Sequence, residues 1–327
     1  MASGLESHRQ RLIDEVLPEP SMTGPQVAEA VGLGYAEAQK VWRALGMPHI
    51  EDDVVAFSQI DVRSLILVKS LLDSGFSMDA VVSVARVLGQ SMSRITDAQT
   101  RMVRDRLIGN VNLDDEQVLH IDDAAPLIDA LRDSSSLLLD HIYRLHLKSA
   151  LQRLSFDEDH AVSETLAVGF VDLVGFSRIS DDLGEIGLSD LISRFEEIVV
   201  QVCTDADVRL VKIVGDAAMF VSTRAAPSQS AAAGILRQLR ADGSLPEGRA
   251  GLDFGPVLPK SGDYFGRPVN VAARITAFAR NGTVVASRAF IDALDEPTVA
   301  LPTKVGSRRL KDVGRVTLYK MALDAES

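Results

Sequence analysis

The stretch Leu210-Val-Lys-Ile-Val-Gly-Asp-Ala-Ala-Met-Phe-Val221 constrains this chain more than any other. Two apolar runs rich in β-branched residues flank Gly215-Asp216. Such a glycine–aspartate step predicts a β-hairpin with a tight turn. The tip then presents a carboxylate, Asp216, with Lys212 one short strand away. Around it the pattern alternates: strand Leu166–Asp172, helix near Ser177–Thr204, hairpin Val208–Ile213 and Ala217–Ser222, helix near Ser228–Arg240, strand Arg249–Val257. A helix Val269–Arg280, a strand Thr283–Ala286, a short helix and two strands near Thr303–Val305 and Arg315–Met321 follow. The hairpin forces antiparallel pairing, so the class is α+β. The order fits a βαββαβ core of ferredoxin-like type.

A second carboxylate stands in Phe170-Val-Asp-Leu-Val-Gly-Phe-Ser177. Asp172 ends an apolar strand, and Gly175 lets the chain fold back over whatever the aspartate holds. Either aspartate alone reads as a turn former or helix cap. Together, on adjacent strands, they make a cradle for hard divalent cations with oxygen ligands. A cation pair is a standard device for phosphoryl chemistry. A third segment, Gly262-Asp-Tyr-Phe-Gly-Arg-Pro-Val-Asn-Val-Ala-Ala-Arg274, completes the set. Asn270 and Arg274 are four residues apart on a helix expected to start near Pro268, which places both on one face.

These three segments, in this order, resemble the class III nucleotidyl cyclases, which make cyclic AMP or cyclic GMP from nucleoside triphosphates. The resemblance spans residues 165–323. It implies that Asp172, Asp216 and the Leu173 carbonyl hold two Mg²⁺ or Mn²⁺ ions per active site. It implies that the phosphates rest on backbone amides near Gly175, Phe176 and Ser177, a helix N-terminus serving where there is no Walker motif. Lys212 and Asp263 would contact the base. Guanylyl cyclases typically carry Glu and Cys there, whereas an Asp accepts from adenine N6–H and a Lys donates to N1. The chosen residue types therefore match ATP, and a mispaired buried edge discriminates against the wrong base. Asn270 would orient the ribose, Arg274 would stabilise charge on the phosphate, and Lys311, in Arg308-Arg-Leu-Lys-Asp-Val-Gly314, would bind phosphate. The family works as a head-to-tail homodimer with composite active sites.

Residues 1–160 read as an all-α regulatory domain and residues 161–327 as the catalytic domain, with the acidic stretch Phe156-Asp-Glu-Asp-His160 as linker. Thr23–Gly32 has a cap, a proline in its first turn and a glycine at its end. With Ala36–Leu45 it makes a helix-turn-helix pattern that resembles MerR-type regulators. Further helices are expected at Phe57–Leu72, Met78–Leu88, Ser91–Leu107 and within Leu127–Leu154, with a loop at Asn110–Asp115. Residues 1–60 hold four Lys/Arg (Arg9, Arg11, Lys40, Arg43) against nine Asp/Glu. A nucleic-acid partner is therefore not expected, since DNA binders need a basic footprint. The arrangement resembles mycobacterial cyclases whose helical domain is proposed to sense pH or lipid. A lipid or a proton is the expected input, with His141 and His146 as candidate sensors.

Net charge is −12 and the chain carries a single cysteine, Cys203. That excludes a disulfide framework within the chain and fits a cytoplasmic setting; Cys203 reads as a small buried helix residue. No apolar run reaches the length of a transmembrane segment. The reading is an adenylyl cyclase. The alternatives are a cyclase with relaxed base choice, or a ligand-sensing or DNA-binding regulator whose cyclase half is vestigial. A diguanylate cyclase would need a Gly-Gly-Asp/Glu-Glu-Phe stretch.

Overall fold

The computed structural model describes residues 17–109, 125–152, 163–294 and 302–323. The chain divides into two compact units, residues 1–156 and 157–327. The linker expected at 156–160 and the loop expected at Asn110–Asp115 lie outside the described residues.

In the first unit, Thr23 caps α1 (Gly24–Val31) through a capping box. The Thr23 N–H donates to Gln26 Oε1 at 2.8 Å and the Thr23 hydroxyl accepts from the Gln26 amide, satisfying two orphan helix-end groups reciprocally. Gly32, at φ 69°, ends the helix in the left-handed region. Helices α2 (Tyr35–Ala44) and α3 (Gln59–Asp73) close on Val27, Ala38, Trp42, Phe57 and Leu65. The Trp42 and Phe57 rings stand 4.5 Å apart.

One expectation fails here. Met78–Leu88 and Ser91–Leu107 are not separate helices but a single α4 (Met78–Gly109) of 32 residues. The glycine between them is a packing residue, not a breaker. A Cβ at Gly89 would lie 2.3 Å from the Leu45 carbonyl oxygen, so Gly89 lets α4 pass against the end of α2. The later segment forms one helix, α5 (Ala125–Gln152), and His141 and His146 are both exposed on it.

The second unit is built on one sheet. Its strands are β1 (Glu164–Leu173), β2 (Arg209–Val214), β3 (Ala217–Ser222), β4 (Gly248–Lys260), β5 (Asp263–Phe265), β6 (Val284–Ser287), β7 (Thr303–Leu310) and β8 (Gly314–Met321). The order is β2-β3-β1-β4-β6-β8-β7, with β5 paired to β4. The four strands β2-β3-β1-β4 are antiparallel and, with α6 (Phe176–Asp205) and α7 (Ala225–Asp242), form the expected ferredoxin-like core. Strand alternation sorts the side chains. Ala167, Val171, Ala218, Phe220, Ala250 and Leu252 enter the core shared with α6 and α7. Leu166, Val168, Met219 and Val221 face the other way, toward Tyr264 and Ala272. That second face is covered by α8 (Arg267–Phe278). Helix α8 lies close on β4 because Gly251 has no side chain: a Cβ there would come 2.3 Å from the Thr276 amide nitrogen. The short α9 (Arg288–Asp292) follows β6.

Candidate active site

Asp172 belongs to the α8-facing set of β1, one residue before the strand ends. The Leu173 amide donates to the Asp216 carbonyl at 3.0 Å and the Val174 amide to the Glu247 carbonyl at 2.8 Å. The first of these bonds docks the β2–β3 turn beside the end of β1, so the two aspartates become neighbours, and the second ties the same end to the approach of β4. Gly215, at φ 60°, supplies the left-handed residue that the turn needs. Burial raises the Asp216 carboxyl above its ordinary value, and the charge of Asp172 beside it raises it further, while Arg249 pulls it down.

Beyond Asp172 the chain turns through Gly175, at φ 77°, which is the N-cap of α6. The first-turn amides of Phe176 and Ser177 have no intrahelical acceptor, which is a property of every helix start. They follow directly on the end of β1 and Gly175.

The base-reading candidates also meet. Lys212 Nζ donates to Asp263 Oδ2 in an ion pair that is partly buried. Asp263 opens β5, a strand not among those expected from the sequence, which folds back antiparallel on β4 with Lys260 opposite it. The strand is held over β2 by Tyr264. Arg209 Nη1 donates to the Tyr264 hydroxyl at 2.9 Å, and the guanidinium stands 5.5 Å from the ring centroid. A β-bulge between Leu210 and Lys212 sits at this point of β2, and bulges re-aim side chains.

Asn270 and Arg274 are both exposed on α8, as their spacing requires. Arg274 Nη2 donates to Asp312 Oδ2 at 3.1 Å. Asp312 adjoins Lys311 in the β7–β8 turn, so Arg274 and Lys311 belong to one exposed basic corner. The proposed residues therefore gather into three local groups: Asp172, Leu173, Asp216 and the α6 start; Lys212 with Asp263; Asn270, Arg274 and Lys311.

Residues 12–151 match the family described as the adenylate cyclase regulatory domain. An uncharacterized protein of Mycobacterium tuberculosis is 33% identical over 294 residues, covering 86% of this chain and 75% of that protein. An adenylate cyclase of Glutamicibacter nicotianae is 30% identical over 279 residues, covering 80% of this chain and 68% of the relative. The chain belongs to the class III adenylate cyclase family. Among solved structures, an adenylyl cyclase from P. aeruginosa is 21% identical, with a TM-score of 0.42 over 49% of this chain and 94% of that one.

One residue of this family member's site escaped sequence reasoning. Arg249 is the direct cross-strand partner of Asp172 in the β1–β4 register. Its Nε and Nη2 both donate to Asp172 Oδ2, at 2.9 and 2.6 Å, and its Nη1 donates to the Ala277 carbonyl at 3.1 Å. The guanidinium thus ties the first aspartate to the C-terminal end of α8. A lone arginine at a strand start carries no local signal; only the register reveals it. Cys203, in contrast, is where its type predicts. It is buried, and burial pushes its thiol up to about 12, which leaves it inert at neutral pH. No helix among the described residues is long and apolar enough to cross a membrane.

Proposed function

We propose that the chain converts ATP to 3′,5′-cyclic AMP and pyrophosphate at composite sites of a homodimer. The observation that carries this reading is the juxtaposition of Asp172 and Asp216. Burial and the charge of Asp172 raise the Asp216 carboxyl, which is a cost to the folded chain that a bound cation would offset. Their hard oxygens fit Mg²⁺ or Mn²⁺, with the Leu173 carbonyl as a further donor. When bound, two such ions supply neutralisation of the triphosphate and activation of the ribose 3′-hydroxyl. In the reaction that oxygen forms a bond to the α-phosphorus, the bond from the α-phosphorus to the bridging oxygen breaks, and pyrophosphate leaves.

The protein's own groups do the rest. Asp263 accepts from adenine N6–H while Lys212 donates to N1. Without a nucleotide the two satisfy each other, so neither is left buried and unpaired. Arg249 orients Asp172. The α6 amides at Phe176 and Ser177, following Gly175, receive phosphate oxygens. Asn270 hydrogen-bonds the ribose. Arg274 exchanges the Asp312 carboxylate for the charge that develops on the phosphate, and Lys311 adds a cation beside it. One protomer offers Asp172, Asp216 and the phosphate loop, and its partner offers Lys212, Asp263, Asn270, Arg274 and Lys311. A two-fold axis then makes two equivalent sites.

The direct test is purified protein with ATP or GTP and Mn²⁺ or Mg²⁺, resolving the cyclic product. Cyclic AMP is expected; cyclic GMP as the main product would overturn the base assignment. Mixing inactive Asp172→Ala with inactive Arg274→Ala should restore activity through heterodimers that hold one intact site. Absence of recovery, once subunit exchange is demonstrated, would place each site within one chain.

The helical unit is proposed to regulate this chemistry. Helix α5 precedes β1 in the chain, and a composite site is sensitive to small shifts, since a misplacement of about 1 Å costs roughly 10²-fold in rate. A proton or a lipid is the proposed input, and the exposed His141 and His146 are the candidate proton sites. Full-length protein and a chain starting at Ser163 are to be compared between about pH 5.5 and 8. Equal activity and equal profiles would remove the regulatory role.

A further inference from the structure

Among the described strands, β4 and β6 alone run parallel. Strand β6 ends at Ser287, which lies opposite Leu318 of β8, while β4 continues to Lys260. Past Ser287 no strand among the described residues fills the space between β4 and β8. A cavity of about 310 Å³ opens there, bounded also by the first turn of α8. Crevices at the carboxyl ends of parallel strands, where neighbouring strands part, are the usual ligand sites of open sheets, and this volume suits a small metabolite.

The lining is mainly apolar, through Phe254, Pro256, Pro268, Val271 and Val316, with charged groups of both signs set into it. Asp253 lies in its wall, 5% exposed, and its Oδ1 accepts from the Ser287 hydroxyl. Burial lifts the Asp253 carboxyl to about 6, against the pull of the Ser287 hydroxyl, the Phe254 amide and the Arg267 charge. At neutral pH it is therefore mainly ionised, with acceptor capacity beyond the Ser287 bond. Three guanidiniums, Arg267, Arg288 and Arg315, line the same cavity together with Thr317. Two of them are oriented by bonds that use only part of a guanidinium's five donors. Arg288 Nε donates to both oxygens of Asp292, at 2.7 and 2.9 Å, and its Nη1 to the Tyr319 hydroxyl at 3.1 Å. Arg267 Nη1 reaches the Val313 carbonyl at 3.4 Å. Arg315 stands directly opposite Arg309 in the β7–β8 register. Like charges in that position repel. In a chain of net charge −12, three cations around one crevice depart from the surface average.

We propose that this crevice is a second small-molecule site, distinct from the candidate active site, and that it takes a hydroxylated organic phosphate. The dianionic head group sits among Arg267, Arg288 and Arg315, whose planar forks match phosphate oxygens. A hydroxyl of the same molecule donates to Asp253. An anion without a donor leaves Asp253 unanswered, and a neutral polyol leaves the arginines unanswered. Arg267 and Pro268 open the helix that carries Asn270 and Arg274, so an occupant of the crevice holds the first turn of α8. The effect on turnover rests on the proposed cyclase chemistry; the binding itself does not.

The test is calorimetric titration of glycerol 3-phosphate into the full-length protein, with and without a non-hydrolysable ATP analogue. One site per chain is expected, still filled when the analogue is present. Arg315→Ala or Arg288→Ala should each weaken it about tenfold, the worth of one charge-assisted hydrogen bond. Asp253→Asn should weaken glycerol 3-phosphate by a similar factor and leave the weaker inorganic phosphate unchanged. Both arginines are exposed, so their variants decide the matter even if the Asp253 variant fails to fold. No binding up to about 10 mM, or binding displaced by the analogue and indifferent to both arginine substitutions, would overturn the proposal.

Discussion

Under α6 and α7 the catalytic sheet presents Phe220, Leu252 and Ala286, all fully buried, packed with Phe195 and Phe290. On the α8 side the same strands present Asp172, Lys212, Arg249 and Asp253, each engaged in a charged hydrogen bond. Adjacent residues of one strand thus serve opposite ends: Val171 closes the core and Asp172 faces α8 in its pair with Arg249. The period of two in a strand makes this division possible without a separate scaffold. The rigid face holds the reactive face in register, and a short covering element, α8 with β5, leaves the reactive face reachable.

The largest effect that would sharpen this contrast comes from substituting one residue on each side. Asp172→Ala should lower cyclic AMP formation about 10³-fold or more, the order expected on losing a preorganised charge site, while circular dichroism stays that of a folded chain. Phe220→Ala should do the reverse. Phe220 is fully buried, and Gly169 opposite it is bare because a Cβ there would meet the ring at 2.2 Å. Truncation leaves a cavity worth about 3–5 kcal/mol by denaturant unfolding, while kcat of the folded fraction stays within about twofold. An Asp172→Ala chain that fails to fold, or a folded Phe220→Ala chain without turnover, would break the division between the faces.

Next in size is base choice. Lys212→Glu with Asp263→Cys should shift the ratio of ATP to GTP turnover about tenfold or more toward GTP, as expected when a site's hydrogen-bond pattern is reversed. The readout is kcat/KM for each nucleotide. An unchanged ratio in a still active protein would mean that the Lys212–Asp263 pair only anchors β5 to β2.

What was legible in the sequence follows from how local each signal is. The hairpin showed because Gly215-Asp216 must turn between β-branched runs, and the α1 cap showed because Thr23 and Gln26 are three residues apart. Signals of this kind need no knowledge of distant contacts. Three features depended on such contacts and were missed or misread. Gly89 looks like a helix boundary until the Leu45 backbone is seen against it. Strand β5 is too short to show by pattern and is seen only in its pairing with β4 under the hold of Arg209 on Tyr264. Arg249 has no motif; it matters because the β1–β4 register sets it opposite Asp172, 77 positions away in the chain. On the reactive face, long-range pairing decides what a polar residue does, so single-chain patterns there find the candidates and leave their partners to the structure.

The smallest expected effect is a gain in stability from Asp216→Asn. Burial and the neighbouring Asp172 charge raise the Asp216 carboxyl, with Arg249 opposing them. A carboxyl that holds its proton more tightly in the folded than in the unfolded chain makes folding take up protons. Stability then falls as pH rises from the unfolded value, about 3.9, through the raised folded value, and the loss is complete at neutral pH. Asparagine keeps the shape and removes the charge. In the presence of a chelator the variant should therefore melt slightly above wild type at pH 7, and the gap should close as pH falls below about 4, where Asp216 is protonated in both states. Adding Mn²⁺ should raise the wild-type melting temperature and move the variant much less, because ligand binding to the folded state alone is what stabilises it. Such a variant would be more stable and nearly inactive, the trade expected where a strained charge pair serves chemistry. A variant that melts lower at pH 7, or a gap indifferent to pH, would show that Asp172 and Asp216 are not in conflict on this face and would weaken the case that they await a cation.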